Sequence, residues 1–145
     1  MELKPRNPNF ERDVRGSFAK QSMMETLGAR ILSVVPGQVE IAAPVLPGSL
    51  QQAGFGHAAL TFAIGDSAAG YSALSLMAPD EEVLTAEMKI NLLAPAAGDR
   101  LVARGRVIRP GRRLFVVGAS VFAETADRSV EIALLQGTMV PVPAP

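Results

Sequence analysis

The chain has 145 residues, 48% of them apolar, enough for one continuous core, and its fourteen basic and fourteen acidic side chains leave no net field to draw nucleic acid or an anionic membrane. It has no cysteine, which excludes disulfides, thiolate metal sites and Cys nucleophiles, and its single histidine excludes a His-rich metal cluster. We expect one domain over residues 1–145, with no bound metal.

The start, "MELKPRNPNFERD", is charged and broken by proline instead of carrying the apolar run of a secretory signal, and it predicts a cytoplasmic chain. Asn9 to Gly28 hold two short helical patches, with Phe10, Val14 and Phe18 and then Met23, Met24 and Leu27 as their apolar positions, closed by Gly28. This N-terminal helical segment, residues 1–28, is expected to pack on the rest. "RILSVVPGQVEIAAPV" reads as a hairpin turning at Pro36-Gly37, where Pro presets one backbone angle and Gly accepts the other. Pro44, Pro47 and Gly48 end it.

A nearly uncharged run over Ala58–Ala78 follows. Asp66, two Gly and several Ser and Thr make it too polar for a membrane span, so a buried helix of about 20 residues is the expectation. Gly65 and Gly70 each cost roughly 1 kcal/mol relative to Ala inside a helix, which suits a close approach by neighbouring backbone. "LTAEMKINLL" then alternates, predicting a strand with Thr85, Glu87, Lys89 and Asn91 on one wet face. Turn signals at Pro110-Gly111 and "TADRS" divide the remainder into three strands, a meander near Arg100–Arg109, Arg113–Glu124 and Ser129–Val140. One long helix beside about six strands predicts an α+β fold in which an antiparallel sheet wraps the helix.

Asp66 is a carboxylate where packing alone would take another alanine. An unpaired ion in a buried helix costs several kcal/mol unless partners or a pKa shift relieve it. It is either a structural Asp bonded to Ser67, Ser72 or Thr85, or a general base or nucleophile. Eight residues earlier, "GFGHAA" places His57 just before the helix, whose first N–H groups lack internal acceptors and carry the positive end of the dipole. The Ala58 N–H, with Gln51, Gly54 and Gly56 around it, can polarise a carbonyl; His57 is a helix cap, a packed ring or a proton-transfer group.

From Gln51 to Ala73, and in the order of elements over about residues 28–140, the sequence resembles the PaaI-type hotdog-fold acyl-CoA thioesterases. The pattern there is Asn, two residues, Gly, two residues, His-Gly-Gly, and an Asp seven positions after the second Gly. The same spacing here gives Gln51, Gly54, His57-Ala58-Ala59 and Asp66, and "LTAEMKINLLAP" supplies Thr85 where that family has Ser or Thr. Gln51 departs from the Asn, and Ala58-Ala59 from the two glycines; a backbone N–H survives the latter change.

The resemblance implies hydrolysis of an acyl-CoA thioester carrying an aryl-acetyl or short-to-medium acyl group. Asp66, Ala58, Gln51 and Thr85 would act at the carbonyl, and Gly54, His57 and Ala59 would support the site. It implies no cofactor beyond the CoA of the substrate. It also implies a homodimer with shared sites, or a dimer of dimers. The phosphates of CoA would meet Arg109, Arg112 and Arg113 of "RPGRR", unless these are solvated turn arginines. A non-catalytic acyl-CoA-binding protein and a hydratase or dehydratase of the same fold are the alternatives; the latter would need a His paired with an acidic residue.

Overall fold

The computed structural model describes residues 2–145. Two short helices open the chain, α1 (Phe10–Ala19) and α2 (Ser22–Thr26). Gly28, at φ 68°, closes α2. Its N–H bonds to the Glu25 carbonyl, and the next N–H, of Ala29, reaches the Met24 carbonyl, the paired bonds of a Schellman stop. Strands β1 (Arg30–Val35) and β2 (Gln38–Pro44) then form the expected hairpin, with Gly37 at φ 75° in its turn.

A loop leads to the long helix α3 (Ala58–Leu74), which is followed by β3 (Glu81–Leu92), β4 (Arg100–Pro110), β5 (Phe115–Glu124) and β6 (Ser129–Pro143). All pairings are antiparallel, in the order β1-β2-β4-β5-β6-β3. The last three strands are the expected meander, and the sheet has the six strands anticipated. β3 stands apart from its sequence neighbour β4, on the far side of β6. Helix α3 crosses the whole face between, and strands from both halves of the sheet cover most of it, leaving one side with Ala58, Ala59, Phe62 and Asp66 open. Contact is closest at β4, where a Cβ on Gly105 would lie 2.2 Å from the Ala68 carbonyl oxygen, and at Gly65, where one would lie 2.9 Å from Leu135. Neither helix glycine meets the expected backbone: the atoms nearest Gly65 are side-chain carbons of Leu135 and Val121, and a Cβ on Gly70 would meet the Met139 and Val83 side chains at an ordinary 3.7 to 4.0 Å.

Two corrections bear on the site. α3 ends at Leu74, four residues before Ala78, because Ser72 and Ser75 turn their hydroxyls into its own backbone and onto the hairpin, and Pro79 disfavours helix at Ala78. The alternation of β3 is broken by a bulge: Thr85 pairs with Met139 and Glu87 with Thr138, leaving Ala86 as the extra residue. Parity therefore changes at Ala86. Val83 and Thr85 before it, and Met88 and Ile90 after it, face the helix. Thr85, although still exposed, lies on the opposite face from Glu87.

Candidate active site

The bulge brings Thr85 under Asp66. Its hydroxyl donates to Asp66 Oδ1 at 2.9 Å and also lies 3.3 Å from the Met139 sulfur. Asp66 is half-buried at mid-helix, and burial pushes its carboxyl above the usual range while the Thr85 bond pulls weakly the other way. Of the three structural partners considered, only Thr85 is bonded to it; Ser72 donates instead to the Ala68 carbonyl. The carboxylate borders two open spaces. One, of about 410 Å³, holds Thr85, Glu82 and Lys20; the other, about 560 Å³, is a groove between α2 and α3 with Met23, Met24, Phe62 and Ile90.

At the start of α3 the loop is tied down by its backbone. Gly54 takes φ 87°, Gly56 N–H donates to the Ala96 carbonyl at 3.0 Å, and His57 N–H donates to the Ser49 carbonyl at 2.8 Å. A Cβ on Gly56 would come within 3.0 Å of the Ala96 Cβ, which fixes glycine there. His57 is the helix cap: its Nδ1 accepts the Ala59 N–H at 2.9 Å. That bond consumes the Ala59 donor. The Ala58 N–H finds no acceptor among the described residues, and Ala58 borders both the groove beside Asp66 and a cleft of about 570 Å³ that also holds Gln51, Thr61 and Leu93. Gln51 Oε1 is occupied by the backbone N–H groups of Ala53 and Phe55, so only its NH₂ faces outward.

These groups do not converge within one chain. Ala58 and Asp66 are eight residues apart on one helix, about 12 Å of rise, too far to meet one carbonyl and its attacking oxygen. Arg109, Arg112 and Arg113 sit exposed at the β4–β5 turn and line neither the groove nor the cleft. Along β6, Ile132 lines the Ala58 cleft, whereas Met139, seven residues on, pairs with Phe115 where that turn ends. The arginines thus lie about 23 Å along the sheet from Ala58 of the same chain. Sequence reading offers a groove-lining role for the helices that carry Met23 and Met24 only as the lesser option and misses Gln21 as a neighbour of Asp66, because these residues arrive from a separate part of the chain. Thr61 was legible in principle, being one helical turn past Ala58 on the same face.

A long helix packed along an antiparallel sheet, with a half-buried carboxylate at mid-helix and a free N–H at the helix start, is the class of α+β protein that the fold and the site define. The thioesterase superfamily profile matches residues 53–129. A thioesterase family protein of Silicibacter pomeroyi is 41% identical, with a TM-score of 0.91 over 93% of this chain and 99% of that one. The chain belongs to the thioesterase superfamily; its fold is the hotdog fold, and it is a thioester hydrolase. The fold is shared with the PaaI protein of the E. coli phenylacetic acid degradation operon (19% identity, TM-score 0.84, covering 96% of this chain and 97% of that one). It is shared too with a thioesterase of Haemophilus influenzae (17% identity, TM-score 0.82, covering 98% and 96%). Comparison with curated protein sequences gives no match. No helix among the described residues is long and apolar enough to cross a membrane.

Proposed function

We propose that the protein hydrolyses an acyl-CoA thioester with an apolar acyl group, at sites each shared by two copies of the chain. The observation that carries this reading is the half-buried Asp66 carboxylate, held at one oxygen by Thr85 and a full 12 Å or so along α3 from the unpaired Ala58 N–H. An antiparallel copy of α3 across a two-fold axis sets Ala58 of one chain against Asp66 of the other, twice. β3 supports such a pairing: it is an edge strand of 12 residues, with Leu84 and Leu92, and Leu93 just beyond its end, more than half exposed.

In the reaction the Ala58 N–H takes the developing negative charge on the thioester oxygen. The free oxygen of Asp66 accepts a proton from water as the water oxygen bonds to the carbonyl carbon. The tetrahedral intermediate then expels the thiolate, breaking C–S, and that proton returns to sulfur. Acid and CoA leave. The NH₂ of Gln51 borders the same cleft, and His57 acts as the cap that aims the helix start, not as a proton carrier.

The test mixes two inactive proteins, Asp66→Asn and Ala58→Pro. Proline suits position 58, because no bond is lost there and His57 already has the extended conformation that precedes proline, ψ 144°. After joint unfolding and refolding, random pairing gives half heterodimers with one intact site each. Activity should return to about a quarter of wild type. A mixture that refolds into dimers and stays inactive would defeat the shared site.

A further inference from the structure

Thr61 is the most completely buried polar side chain beside the start of α3, with 1% of its surface exposed. Threonine inside a helix ordinarily turns its hydroxyl back to the carbonyl one turn earlier, as Ser72 does here to Ala68. The Thr61 hydroxyl makes no hydrogen bond to any described residue, yet no buried side-chain oxygen or nitrogen among them is left sealed without a partner. What little of Thr61 stays exposed is therefore the hydroxyl, and it opens on the cleft it lines with Ala58 and Gln51. Side chains on a helix lean toward its N-terminus, so this hydroxyl is directed along the face that carries the Ala58 N–H.

Apart from these groups and the His57 ring, whose Nδ1 is taken by the helix cap, the cleft is apolar, walled by Phe55, Leu92, Leu93, Pro95 and Ile132. A hydrocarbon chain filling it would strip water from the Thr61 hydroxyl and the Gln51 amide and return nothing. An arm that is thin, mostly methylene and punctuated by amides would satisfy both. On the other side of Ala58, the groove of Met23, Met24, Phe62, Ala63 and Ile90 holds apolar wall next to Asp66. We propose that Thr61 is a substrate-binding residue whose hydroxyl hydrogen-bonds an amide of the thiol-side arm, so that the Thr61 cleft takes the pantetheine chain and the methionine-lined groove takes the acyl group. The assignment rests on the thioesterase reading above.

The experiment compares Thr61→Val and Thr61→Ser with wild type on the hexanoyl thioesters of CoA and of ethanethiol, the second lacking any amide. Binding of a non-hydrolysable hexyl-CoA thioether is measured in parallel by calorimetry. Thr61→Val should raise KM for the CoA ester and weaken the thioether about tenfold, the equivalent of one hydrogen bond. It should leave kcat, the ethanethiol ester and the melting temperature unchanged, and Thr61→Ser should restore binding. Equal losses on both esters, no loss on either, or a markedly lower melting temperature for Thr61→Val would overturn the assignment, as would a wild type that does not bind the thioether. Binding that depends on Thr61 in a wild type that turns over neither ester would keep the assignment and sink the hydrolytic reading instead.

Discussion

Asp66 meets two opposed demands. Chemistry wants a carboxylate near the reacting bond, whereas folding places it half-buried on a helix packed for most of its length against the sheet. Its folded pKa lies above the ordinary 3.8 because burial outweighs the Thr85 bond, so folding favours the protonated form. At pH below the unfolded value the carboxyl costs nothing; as pH rises through the folded value the ion is held where it is poorly solvated, and stability is lost. Asparagine keeps an acceptor for Thr85 and carries no charge. Asp66→Asn should therefore melt above wild type at pH 7, with the difference closing as pH falls toward 3.8, while turnover drops at least about a hundredfold. Thermal unfolding across pH, run beside a thiol-release assay, checks both; a variant that melts lower at neutral pH would mean that Asp66 is kept for structure. For the same reason wild-type kcat should fall on the acid side at a pH above the usual carboxylate range.

The elements hold together through a few bonds that cross long stretches of chain. Ser72 Oγ donates to the Ala68 carbonyl and accepts the Val39 N–H at 3.0 Å; Ser75 Oγ does the same for the Ser72 carbonyl and the Gly37 N–H at 2.8 Å. Both serines are fully buried, so the end of α3 is pinned to the β1–β2 hairpin. Ser72→Ala would leave the Val39 N–H buried and unpaired, and should cost about 1–3 kcal/mol; a denaturant titration showing no loss of midpoint would refute this. These bonds also explain what the sequence conceals. The hairpin turn and the end of α2 are written in Pro36-Gly37 and Gly28, because a positive φ is a local demand. The end of α3 is set by hydroxyls bonded to a strand more than thirty residues away, and no local pattern marks it. The bulge at Ala86 is equally silent: "LTAEMKINLL" alternates without fault, and only pairing with β6 reveals that Thr85 faces the helix. Asp66 and the Ala58 N–H are readable from one segment, whereas the cap role of His57 is one of three that the sequence allows.

At the scale of the molecule, the order β1-β2-β4-β5-β6-β3 follows from α3. A helix apolar over most of its circumference packs along the full face of the sheet and delivers β3 to the opposite edge from the hairpin. No residue pattern marks that β3 pairs with β6 instead of β4, since adjacency in the chain favours the shorter connection. That edge has a kinetic consequence under the shared-site reading. Two half-sites that must meet across it give a catalyst with no fixed specific activity: above the dissociation constant of the pair the rate per mole is constant, and below it the total rate follows the square of concentration. Serial dilution, with time allowed for equilibration, should show that change of slope, and a strictly linear rate through the range where sedimentation finds single chains would contradict it. Such an enzyme answers to its own abundance. Well below the threshold, halving its amount would remove about three quarters of its flux, so expression level alone would switch the activity on and off more sharply than dose.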